Sequence, residues 1–228
     1  MRFSLPRIST AVVAGAMMLS LGGAAEDPKP NTAAPAADKD GFVSLFDGKS
    51  LDGWKIGANA DSWSVKDGMI VVHGKGPAHL FYDGPIHNHD RKNFHIKTEI
   101  MTFPKANSGV YFHTEYQEKG WPEHGFEAQV NCTHGDKIKT GSLYHISDIP
   151  DPHHKDNEWF LYEIIVKGNH VVVKVDGNVV NDWTQPADFK PVKGHPLRFI
   201  SHGTIALQGH DPNSEVHFKS VMIKALED

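Results

Sequence analysis

The chain has one cysteine, Cys132, among 228 residues, which excludes an internal disulfide and a multi-cysteine zinc site. A chain of this length builds its own hydrophobic core, so no covalent staple is needed. Cys132 reads as a small packing residue, with a lone nucleophile as the alternative. Positive charge is also short, with 23 Lys and Arg against 28 Asp and Glu and a net charge of -5. That balance excludes nucleic acid and an anionic membrane surface as partners. A spanning segment is missing too: the apolar stretch from Ala11 to Leu21 falls short of the roughly 20 residues a membrane helix requires. Finally, no long segment keeps apolar residues three and four positions apart, which excludes a helical bundle.

What is present begins with an export signal over residues 1–25. Arg2 and Arg7 supply the positive end, Ala11 to Leu21 the apolar core, and Gly23-Ala24-Ala25 a small-residue cleavage site. The mature protein is then expected in the periplasm or outside the cell, with no stable membrane insertion after cleavage. Residues 26–40, with Pro28, Pro30 and Pro35 and no aromatic residue, read as a tether. Residues 41–228 read as one folded body. Histidine is abundant, 16 residues against 12 Phe, and serves metal binding, proton transfer or hydrogen bonding to a polar ligand, or stands as solvated surface.

The body alternates in short runs punctuated by Gly, Asn and Asp. Trp63 to Val72 folds back at Asp67-Gly68, and Val171 to Val180 at Asp176-Gly177, as tight hairpins do. Phe94 to Ile100, Trp159 to Val166 and Val216 to Ile223 add strands. The pattern predicts an all-β, two-sheet antiparallel β-sandwich. In three runs the alternation collects polar groups opposite an apolar face. Tyr111, His113 and Glu115 oppose Val110 and Phe112; Glu127, Gln129 and Asn131 oppose Phe126, Ala128 and Val130; Thr204 and Gln208 oppose Ile205 and Leu207. His210 follows the last run, and Tyr144 adds another polar-tipped ring. A solvated sheet face is the ordinary explanation, but Tyr, His, Gln and Asn in place of Lys, Glu and Thr favour a shared sugar-binding site.

The passages FVSLFDGKSLDGWK (42–55), SWSVKDGMIVV (62–72), NSGVYFHTEY (107–116), GFEAQV (125–130), GTIALQGHD (203–211) and HFKSVMIK (217–224) resemble the bacterial 3-keto-disaccharide hydrolase domain family. The resemblance implies a concanavalin A-like jelly roll and cleavage of a glycoside already oxidised at C3, by net hydrolysis or by elimination and hydration. A C3 ketone acidifies the C2 hydrogen, so a base, an enolate stabiliser and an acid at the glycosidic oxygen suffice. On this resemblance Glu127 or His113 is expected as base and His210 as acid or cation ligand. Tyr111, Gln129, Tyr144 and Gln208 are expected to orient the sugar. The resemblance implies a 3-keto-glycoside as the substrate, and no organic cofactor is expected.

A divalent metal held by His113 and His210 would suit an enolate. His87, His89 and Asp90, and His153 and His154 with Asp151 and Asp156, offer ligands in loop sequence, where solvated histidines are the ordinary reading. Two other classes stand beside this one. A retaining glucanase needs paired carboxylates, and Glu127-Ala128-Gln129-Val130-Asn131 lacks the second. A non-catalytic secreted carbohydrate-binding module needs aromatic platforms, for which Trp54, Trp121 and Trp183 are the candidates.

Overall fold

The computed structural model describes Met1 and residues 35–228, so the expected leader and most of the tether lie outside the described residues. Two antiparallel sheets face each other. The larger runs in the order β11 (Asn178–Thr184), β10 (His170–Val175), β9 (Trp159–Lys167), β6 (Phe94–Thr102), β13 (Glu215–Ala225), β4 (Met69–His73) and β3 (Trp63–Lys66), with β1 (Val43–Ser44) paired to β13. The smaller runs β2 (Trp54–Ile56), β5 (Ala78–Tyr82), β12 (Thr204–Gly209), β7 (Asn107–Thr114) and β8 (Phe126–Asn131).

Both expected hairpins form. Asp67 and Gly68, and Asp176 and Gly177, all have positive φ, the backbone a two-residue reversal between twisted strands demands. The pairs Lys66 with Met69 and Val175 with Asn178 close them. Along β6 every second residue is buried, and Phe94, Ile96 and Ile100 join Val110, Phe112, Phe126, Ala128, Val130, Ile205 and Leu207 in one core between the sheets. The alternation therefore assigned the inward faces correctly.

The other face of the smaller sheet departs from expectation. Strands β5, β7, β8 and β12 are buried along their whole length, although an antiparallel sheet ordinarily leaves one face to water. Phe81, Tyr111 and Ala206 form a second, separate apolar cluster there. The segments 115–125, 132–158 and 185–203 send side chains over this face and turn it into a cleft floor.

Candidate functional site

Strand register builds the floor. Phe81 of β5, Ala206 of β12, Tyr111 of β7 and Glu127 of β8 stand opposite one another in a single cross-strand row. Beside it, His79 faces Gln208 and Gly109 faces Gln129. Trp121, Tyr144, His195, Arg198 and His210 complete the walls of a cleft of about 230 Å³.

Glu127 lies at its centre, 5% exposed. The Tyr111 hydroxyl donates to its Oε2 (2.7 Å), and Gln208 Nε2 donates both to Glu127 Oε1 (2.9 Å) and to the Tyr111 oxygen (3.0 Å). The Gln129 amide is assigned with its nitrogen toward Ser108 O (3.0 Å) and Glu127 Oε1 (3.1 Å). Burial pushes the Glu127 carboxyl up to about 7, against the opposing pull of Tyr111, Arg198 and Gln208. Loss of hydration is thus the dominant influence, as for other carboxyls in dry sites. Burial likewise raises the Tyr111 phenol well above its ordinary value, with the Glu127 charge adding to it.

Gly109 makes room for this carboxyl. A Cβ there would lie 2.6 Å from Glu127 Oε1 and 2.8 Å from its Cγ. Arg198, 4% exposed, donates from Nη1 to Tyr144 O (3.0 Å), while its buried Nε has no partner among the described residues. Tyr144 lies in a turn rather than a strand. Its hydroxyl donates to Asp136 Oδ2 (3.2 Å), and burial, with the Asp136 charge, raises it to about 12.

At the mouth, His210 Nδ1 is 3.1 Å from Asp211 Oδ2, which also accepts from the Ser214 hydroxyl (3.0 Å). Burial raises the Asp211 carboxyl, but the Asn213 N–H, His210 and Ser214 together hold it below its ordinary value. Asp211 therefore stays ionised, fixes the imidazole through Nδ1 and leaves Nε2 as the free nitrogen of a residue that lines the cleft.

His210 and Asp211, with His134, are also the group among the described residues whose ligating atoms all lie within 4.8 Å of one another, a spacing that suits a divalent cation. In the present geometry the Asp136 N–H donates to His134 Nδ1 (3.1 Å). That places the ring proton on Nε2, 3.5 Å from Asp211 Oδ2. Both imidazoles thus face the Asp211 carboxylate, His210 within hydrogen-bond distance and His134 farther off, and coordination through His134 requires its ring to turn over.

His113 corrects the expectation. It has φ +54 and sits at a bulge where Thr204 pairs with Thr114 and Ile205 with Phe112. The extra residue breaks the alternation, and the ring packs edge-on against Phe94 of the opposite sheet. Its Nε2–H donates to Lys92 O (2.9 Å), and Nδ1 accepts from the Ser201 N–H (3.3 Å). Burial lowers it to about 4, so the ring is neutral and fully bonded. His113 is not brought to Glu127 or His210, as base or as metal ligand.

The remaining candidates separate in the same way. Trp54 is a core residue donating to Leu45 O (2.7 Å), and Trp183 packs on Phe126 and Phe189, so Trp121 alone of the three reaches the cleft. His89 bonds Gly84 O, Asp90 pairs with His202, and His154 stacks on Phe160. These loop histidines form no cluster of three ligands among the described residues. Burial raises the Cys132 thiol, whose Sγ–H donates to His154 O (3.3 Å), so it is held as an unreactive thiol.

Sequence reasoning missed His79, Arg198, His134 and the role of Asp211. His79 is 3% exposed, its Nε2 has no partner among the described residues, and burial lowers it to about 3. A polar residue inside the run Ala78-His79-Leu80-Phe81-Tyr82 was a usable signal, as was Asp211 beside His210. Arg198 stands alone in a loop, where no periodicity marks it.

The fold and this cleft can be set against known proteins. Solved structures with the same sandwich include a candidate glycosyl hydrolase from Parabacteroides distasonis, at 25% identity and TM-score 0.70 over 86% of this chain and all of that one. The carbohydrate-binding module CBM66 from Bacillus subtilis shares the fold alone, at 13% identity and TM-score 0.54 over 76% of this chain and 96% of its own. So does the VIP36 exoplasmic domain, at 10% and 0.54 over 85% and 92%. A 3-keto-disaccharide hydrolase from Bacteroides thetaiotaomicron is 28% identical over 83% of this chain and 80% of its own length. The profile of the 3-keto-alpha-glucoside-1,2-lyase-like domain matches residues 41–224, and the chain belongs to that carbohydrate-active family.

Proposed function

We propose that the protein cleaves the C1–O bond of a 3-keto-glycoside by proton abstraction at C2. Glu127 carries the reading: it is a carboxyl buried in the sugar-sized cleft of this family's fold and raised by burial to about 7, where it takes up and gives back a proton near neutrality. Glu127 accepts the C2 hydrogen as a proton, and the electron pair passes to the C3 oxygen as an enolate. Arg198, which lines the cleft and whose buried Nε has no partner among the described residues, is the cation that opposes this charge. The pair then returns to form C1=C2 as the C1–O bond breaks, and His210, oriented by Asp211, protonates the departing oxygen. Addition of water across C1=C2 completes net hydrolysis. Tyr111, Gln129 and Gln208 hold Glu127, and Tyr144 lines the cleft.

A divalent ion on His210, Asp211 and a turned His134 would supply a second positive charge to the same enolate, and His210 would then be a ligand in place of the acid. Export by the leader is part of the proposal, and N-terminal sequencing of the secreted product checks it.

The test is incubation of the purified chain with 3-keto-trehalose or a 3-keto-glucoside, following release of the 3-keto sugar with and without chelator. Release that Glu127→Gln abolishes supports the reading. Binding without release indicates a carbohydrate-binding module.

A further inference from the structure

A second cleft, of about 310 Å³, opens beside the smaller sheet and shares no lining residue with the first. The rings of Phe81 and Tyr116 stand edge to face at 5.4 Å on its apolar side. Asp83, Asp90 and Glu115 supply three carboxylates, and no Lys or Arg among the described residues lines it.

Thr114 is its buried polar group. The bulge at His113 sets Thr114 opposite Thr204, while the neighbouring pair, Phe112 with Ile205, belongs to the core between the sheets. Both threonines therefore fall on the cleft side and line it. The Thr204 hydroxyl donates to Tyr82 O. Thr114 is 1% exposed, and its buried hydroxyl has no partner among the described residues. A hydroxyl in that state marks a place for a ligand atom or a water.

The carboxylates are spread around the cleft. His202 Nδ1 lies 2.7 Å from Asp90 Oδ1, while His89 and His124 stand 3.7 Å from Asp83 and 3.3 Å from Glu115. Among the described residues no three of these ligating atoms converge within 4.8 Å, so the acceptors surround a volume and not a point. That arrangement suits a cation with a carbon body better than a bare divalent ion, which needs its oxygens gathered around one centre. Lys55 Nζ already sits 3.7 Å over the Tyr116 ring, a contact of the kind such a ligand would make with these rings.

We propose that this cleft binds a small organic cation, a protonated primary amine on a compact carbon body. Its ammonium donates to Thr114 Oγ1 and to the carboxylates, and its body packs against Phe81 and Tyr116. The three carboxylates repel an anionic ligand. The site is independent of the cleavage reading above.

The experiment is an NMR titration of the full chain near neutral pH with cyclohexylamine and with cyclohexanol, which match in shape and differ in charge. The amine is expected to bind at least about tenfold more tightly and to shift the Thr114 and Tyr116 resonances. Glu115→Gln and Thr114→Val should each weaken it severalfold, with melting temperatures confirming that the variants fold. Equal affinity for the two probes, no detectable binding of the amine, or amine binding unmoved by both substitutions overturns the proposal. Calcium chloride is the control: calcium that displaces the amine and binds more tightly makes this an inorganic cation site and overturns the organic occupant.

Discussion

A carboxyl raised to about 7 by burial titrates in the range where activity is measured. As a base Glu127 must be ionised, so kcat/KM is expected to rise with pH through about 7 on its acid limb. Glu127→Gln should lower kcat by roughly 10²- to 10⁴-fold and remove that limb; a pH–rate profile that keeps the limb assigns it to another group. His113 makes the opposite case. His113→Ala leaves Lys92 O and the Ser201 N–H without their partner, at a cost of about 1–3 kcal/mol for each buried group left unpaired. Turnover by the folded variant should stay within about twofold of wild type, because the ring lies outside the cleft. Denaturant unfolding and single-turnover kinetics check the two halves. This residue also marks how far sequence reading reached. Alternation placed Tyr111, Glu127, Gln129 and Gln208 on one face correctly, because side chains in an unbroken strand obey a period of two. It failed at His113, because a bulge adds one residue, and nothing in Phe112-His113-Thr114 announces a positive φ.

At the level of strands, β7 and β8 form the working unit, with Tyr111 opposite Glu127 and Gly109 opposite Gln129. The missing side chain at Gly109 is what lets the carboxyl fold back over the strand. Gly109→Ala drives a methyl group into Glu127, so the variant is expected to lose at least about tenfold in kcat through misplacement of the base, with a smaller change in KM. Full activity of that variant would show that the carboxyl position is not critical. The hairpins and inward faces were legible because Asp-Gly turns and apolar alternation are local signals. The covering segments were not. Arg198, His195 and Trp121 reach the cleft from loops whose course depends on the packing of the whole sandwich, and Tyr144 comes from a turn held by the Tyr144 N–H to Glu127 O bond.

For the molecule as a whole, three buried groups couple folding to pH in opposite directions. Glu127 has a folded value raised from 4.5 to about 7, so it binds a proton more readily in the native state, and its contribution is lost as pH rises through that interval. His79 and His113 are lowered from 6.5 to about 3 and about 4, so theirs is present above 6.5 and lost as pH falls. Glu127→Gln is therefore expected to gain stability relative to wild type as pH rises from about 5 to 8, and both proteins should weaken below about pH 6. Melting temperatures across that range test it, and a wild-type-to-variant difference independent of pH would contradict the assignment.

The account turns on removal of the C2 hydrogen as a proton, and deuterium reports it directly. In heavy water, the 3-keto sugar released by the wild type is expected to carry solvent deuterium at C2, and Glu127→Gln should suppress its appearance. Release of product that keeps its original C2 hydrogen would mean direct displacement at C1, and would contradict the mechanism.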